Sequence, residues 1–284
     1  MKFFGRIRQQ SFTKNEFSKY LLYATGEIVM VVIGILLAVQ INNRYETIKI
    51  NESEQIFLKN LKKELIANYD DLLVAMSYQE RSKNAAFRLK EIYSSDYGQF
   101  KTDELDSLFA EVQWTWTFDP KISVLNSIKM SSQINAIQNL KILSFITTYE
   151  ESVKDAQEES LIIRSLIVDK YVPLVSRYIS EAKRAKYIGF KEIGGTKFKS
   201  DYAGVFDDRE AESLLVYIYI WRLSELDEHQ DILTMIKDCI SLVEDEIDKW
   251  LQYVRQTLVN KMREMTRLTL ILLLTGPPSC FKKD

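Results

Sequence analysis

From Ile28 to Val39 the chain runs twelve residues without a charged or hydrogen-bonding side chain, inside the stretch GEIVMVVIGILLAVQINN. On a helix this apolar core covers roughly 18 Å, too little for a hydrocarbon layer of about 30 Å. To span it, the helix must recruit YLLYA on one side and Gln40–Ile41 on the other. Tyr20 to Ile41 then gives about 33 Å. Glu27 lies roughly 10 Å inside the first boundary, too deep to be a flanking charge.

Length and flanks favour an uncleaved span over a cleaved signal peptide. The run ends in AVQINNRYE, which lacks the small-x-small site that cleavage needs. Lys2, Arg6, Arg8, Lys14 and Lys19 precede the span, offset by Glu16, whereas only Arg44 and Lys49 follow closely, among Glu46 and Glu52. This Lys/Arg asymmetry predicts a cytoplasmic N-terminus and an extracytoplasmic remainder. The expected organisation is a basic segment over 1–19, a transmembrane helix over 20–41, a helical bundle over 42–260 and a tail of different character over 261–284.

FSKYLLYATGEIVMVVIGILLAVQINN resembles the N-terminal signature of a large bacterial family of unknown function. Its members are single-span membrane proteins with a helical extracytoplasmic region. The resemblance covers residues 1–46 and becomes diffuse beyond them. It departs after the two asparagines, where Arg44-Tyr45-Glu46 replaces the family's Trp and acidic residue. It implies a single-pass protein of the bacterial inner membrane with its bulk in the periplasm, and it implies no activity.

The body reads as all-α: an elongated antiparallel helical bundle following the transmembrane helix. Only nine glycines and four prolines occur in 284 residues, and none lies between Gly34 and Gly98. Phe57, Leu61, Leu65, Tyr69, Leu72 and Met76 recur at helical spacing. SSDYGQ ends that helix, and Thr102 or Asp103 is expected to cap the next. The spacing predicts a short helix from Ser123 to Met130 and a longer one from Ile134 to Tyr171, interrupted at Pro173. After a glycine-containing loop, Asp207 or Asp208 caps a last long helix carrying Leu214, Leu215, Ile218, Trp221, Leu226, Ile232, Leu233, Ile236, Ile240, Val243, Ile247 and Leu251. Between these helices QWTWTFDP is extended, with Trp114, Trp116 and Phe118 alternating. These rings either plug the end of the bundle or form a partner contact.

The tail, MREMTRLTLILLLTGPPSCFKKD, is similar to a lipoprotein signal with its lipid-bearing Cys, which belongs at an N-terminus. Readthrough into a neighbouring gene, or a packed or interfacial hydrophobic tail, accounts for it better than a second span, for which the run is too short.

Chemistry-bearing motifs are absent. The two cysteines, Cys239 and Cys280, form no disulfide framework or zinc pattern, and Cys239 is expected to be buried. The one histidine, His229, lies in ELDEHQD and is expected on an exposed face. No phosphate-binding glycine loop, nucleophile elbow or metalloprotease motif occurs. The chain is read as non-enzymatic, without metal or cofactor. Residues 1–44 carry six Lys/Arg against two Glu within an overall charge of −2, so no basic surface for nucleic acid follows.

The candidate site in the span is a stripe of Gly26, Met30, Gly34 and Ala38, bordered by Glu27. Small residues let two spans approach, and a polar side chain hydrogen-bonds across the contact. Partners are therefore the bilayer and a second copy or another membrane protein. The expected function is a membrane-anchored interaction or scaffold protein. The alternatives are an accessory subunit of a transport or proton-coupled energising complex using Glu27, and an extracytoplasmic sensor acting through a partner.

Overall fold

The computed structural model describes residues 14–193 and 195–275, and all regular structure among them is helical. The basic residues before Lys14, and Cys280, lie outside the described residues. The chain divides into two compact units between Glu54 and Gln55.

Helix α1 runs from Lys14 to Tyr93, 80 residues. Its first part forms the N-terminal unit. From Thr25 to Ile50 every residue is exposed, and the helix is long and apolar enough to cross a membrane.

In the second unit, α1 ends at Tyr93, followed by the SSDYGQ turn, where Asp96 accepts from the Gly98 amide at 2.9 Å. Helix α2 spans Thr102–Glu111 and α3 Ser123–Met130. The N-cap of α2 is Lys101 and makes no side-chain cap bond, so neither Thr102 nor Asp103 caps it. Asp103 and Glu104 instead sit in the first turn, where their negative charge is favourable at the positive end of the helix dipole.

The expected helix from Ile134 begins instead at Leu140. A 3-10 turn occupies Ser132–Ala136, and Asn139 caps α4 (Leu140–Ser165) by accepting from the Lys141 amide at 3.0 Å. A π turn, Leu166–Tyr171, follows, in which the Val172 amide reaches the Ile167 carbonyl. The wider turn delivers Pro173 into the first turn of α5 (Val172–Val175), where its missing N–H costs nothing.

Helix α6 (Glu181–Arg184) and a 3-10 turn stop at Gly189, whose φ of 103° is the left-handed C-cap that glycine adopts without a Cβ clash. Helix α7 covers Tyr202–Asp207 and α8 runs from Arg209 to Thr275, 67 residues. Asp208 caps α8, accepting from the Glu210 amide at 2.8 Å.

The pairings fix the direction of the long helices. Lys62 pairs with Glu244 and Ser82 with Arg222, so α8 is antiparallel to α1. Ser160 meets Glu225 and Asn139 meets Glu246, so α8 is antiparallel to α4 as well. Consequently α1 and α4 run the same way, and residues 94–139 return the chain along the bundle. Two apolar cores result. One gathers Phe57–Ala75, Phe145–Ala156 and Ile232–Val243. The other gathers Ala85–Ile92, Phe109, Tyr171 and Ala211–Ile218.

Candidate functional site

A belt of buried polar side chains separates the two cores. Gln79 and Ser82 from α1, Ser160 from α4, and Arg222, Glu225 and His229 from α8 are each at most 5% exposed. Each continues the apolar stripe of its helix, so the helical period carries it inward. The Arg222 guanidinium is bonded to the Glu225 carboxylate and to the Trp114 carbonyl, and its Nε donates to Ser82 Oγ at 3.3 Å. The other Glu225 oxygen accepts from Ser160 Oγ at 2.6 Å. Every strong donor and acceptor of this pair therefore has a partner, as a buried charge pair requires.

The belt holds the extended run 114–122. Extended backbone points alternate carbonyls to the same side, and here that side faces the bundle. Arg222 donates to the Trp114 carbonyl, Gln79 Nε2 to that of Trp116 at 3.3 Å and Gln157 Nε2 to that of Phe118 at 3.2 Å, while just before the run Ser82 Oγ donates at 2.9 Å to the carbonyl of Val112, the helical C-cap of α2. Asn68 brackets Lys121, accepting from its amide and donating to its carbonyl, both at 2.8 Å. Glu64 then accepts from Ser123 Oγ at 2.7 Å and the Val124 amide at 2.9 Å, closing the N-terminus of α3. All three long helices thus supply the partners that a neighbouring strand would give.

The three aromatic candidates separate. Phe118 is buried in the core, edge-on to His229. Trp114 is half-buried, 4.5 Å from the Tyr78 ring, with Arg81 over it. Trp116 stacks on Tyr78 at 4.8 Å and stays 47% exposed. Phe118 thus belongs to the first core, while Trp114 and Trp116 pack against Tyr78 outside it.

His229 corrects the expectation of a surface histidine: it is 1% exposed. The Gln79 carboxamide spends its N–H on Trp116, so its oxygen accepts from His229 Nδ1–H, 2.9 Å away. Burial and the Arg222 charge pull the imidazole down to about 4, so it is neutral at pH 7. The acidic neighbours in ELDEHQD suggested a solvated face, yet helical spacing places His229 three residues from both Leu226 and Ile232, on the buried stripe.

Cys239 is buried as expected, and its thiol is pushed up to about 12 by desolvation. Beside the belt, Glu228 is raised to about 7, by desolvation first and then by Glu159 and the charges of Asp155 and Asp227.

In the N-terminal unit, Gly26, Glu27, Met30, Gly34 and Ala38 are all exposed. A Cβ built on Gly26 or Gly34 meets nothing within 4 Å. The stripe therefore has no partner among the described residues.

No curated protein and no solved structure matches the chain. A family model described as a family of unknown function (DUF6090) matches residues 27–155, from Glu27 in the apolar stretch through the extended run and into α4, so over that stretch the chain is similar to an uncharacterised family.

Proposed function

We propose that this protein is a membrane-anchored scaffold. One span is inserted with the N-terminus in the cytoplasm, and it carries a periplasmic helical bundle that binds protein partners rather than catalysing a reaction. The observation that carries the reading is the exposed apolar stretch of α1, with open space over Gly26 and Gly34 and a carboxylate beside them. A second copy of the span is the occupant that fits. Two such faces are self-complementary about a two-fold axis, and the small residues let backbones approach while Glu27 hydrogen-bonds across.

A span-only association assay in a bacterial membrane tests this contact. Glu27→Leu and Gly34→Ile are each expected to weaken association, by removing the hydrogen bond and the close approach respectively, whereas Glu27→Gln retains it. Unchanged association for both apolar substitutions would remove the contact from the account. Retained association with loss of a cellular phenotype in Glu27→Gln would favour proton-coupled use of the carboxyl.

A further inference from the structure

We propose that the end of α8 is a second membrane-contacting element, which lays its apolar tip into the outer leaflet without crossing the bilayer. This rests on the membrane-anchored reading above. Helix α8 does not stop where its core contacts stop. Val243 is fully buried, but from Leu258 to Leu270 every described residue is exposed while the backbone stays helical to Thr275.

Along this free stretch Leu251, Leu258, Met262 and Met265 form one face, 47–68% exposed. From Leu268 onward the sequence LTLILLL is apolar all round. A helix apolar all round belongs in a large core or in lipid, whereas a helix–helix seam would continue as a single stripe. Among the described residues no chain segment covers Leu268 or Leu270, which are 60% and 55% exposed.

Charge and connectivity favour lipid over a second copy. Lys261, Arg263 and Arg267, against the single acid Glu264, immediately precede the apolar run. A basic stretch followed by an apolar tip is the pattern of an interfacial helix, held by anionic headgroups and by buried apolar area together. Leu268 to Leu274 is about 10 Å of helix, which fits within one leaflet of about 15 Å and is too short to cross the bilayer. Within the second unit, its first α1 residues and the point where α8 leaves its core lie at one end, marked by the Lys62–Glu244 pair at 2.8 Å and by Phe57 and Val243 in one core. A chain already anchored through α1 presents this tip to the membrane at high effective concentration, so a weak individual affinity is enough.

The test uses the full-length protein reconstituted in phosphatidylethanolamine–phosphatidylglycerol vesicles, in a Cys280→Ser background where buried Cys239 stays unlabelled. Single cysteines at Leu268, at Val32 in the span and at Lys249 on the bundle carry an environment-sensitive fluorophore. They are challenged with brominated lipid and with aqueous iodide. The expected result is lipid quenching at Leu268 of the same order as at Val32, with Lys249 quenched by iodide alone. Replacing Lys261, Arg263 and Arg267 together by Gln is expected to reduce the lipid quenching at Leu268 and leave that at Val32 unchanged. Iodide quenching at Leu268 equal to that at Lys249, or protection from both quenchers as in a contact between copies, would overturn the inference while Val32 still reports lipid. Loss of lipid quenching at Val32 as well would overturn the anchored reading and this inference with it.

Discussion

Arg222→Ala is expected to lower the unfolding free energy by about 3–5 kcal/mol, the largest effect of any single belt substitution. The change removes the guanidinium that satisfies Glu225, the Trp114 carbonyl and Ser82 at one point. Glu225, fully buried, is left with only the Ser160 hydroxyl to face its charge. The extended run also loses one of its four carbonyl anchors. Replacing both charges, Arg222→Met with Glu225→Leu, is expected to cost less than Arg222→Met alone, because no orphan carboxylate remains. Chemical unfolding followed by circular dichroism and by tryptophan emission checks both. A double variant less stable than the single one would show that the pair holds more than its own charges.

The second large effect is acid sensitivity carried by His229. Its folded value of about 4 lies below the ordinary 6.5, so between pH 6.5 and 4 the unfolded chain binds a proton that the folded chain does not. Stability from this site is complete above pH 6.5 and falls as pH drops, by on the order of 3 kcal/mol across the full window. Glu228 acts in the opposite sense. Its folded value of about 7 against 4.5 means the folded chain holds a proton the unfolded chain has lost, so acidification over that range favours folding. The two partly offset each other in the native sequence. Glu228→Gln is expected to steepen the loss of melting temperature between pH 6.5 and 5, and His229→Gln to flatten it. Identical pH profiles for the native chain and His229→Gln would place the imidazole in solvent.

Much of the helical fold is legible in the periodicity. Phe57, Leu61, Leu65 and Leu72 announce α1, and the Gly and Pro scarcity announces its length. Asp208 as the cap of α8, the short helix Ser123–Met130 and buried Cys239 follow from local chemistry that tertiary contacts do not override. The extended QWTWTFDP is legible too, but its partners are not. They are Gln79, Ser82, Gln157 and Arg222, polar residues that the apolar periodicity passes over. The signal was their position: Gln79 and Ser82 follow Met76 at three-residue steps, and Arg222, Glu225 and His229 fill the gap between Ile218 and Ile232 on the same stripe. A polar residue in register with an apolar stripe is a candidate for the interior, where its hydrogen bonds fix helix alignment. The start of α4 at Leu140 was legible in principle, since Asn139 is a local N-cap through its Oδ1, but the apolar period beginning at Ile134 masked it. Of the span stripe, composition shows the small residues and Glu27, but nothing in one chain displays the surface that would meet them.

The central claim is a single anchor with the N-terminus inside and the bundle outside, and reporter fusions test it most directly. A reporter active only outside the cytoplasm is expected to be active when fused after Asn260 and inactive when fused at residue 10. Activity at residue 10 with none after Asn260 would contradict the orientation, and activity at neither position, with the protein recovered in the soluble cytoplasmic fraction, would contradict the anchor itself.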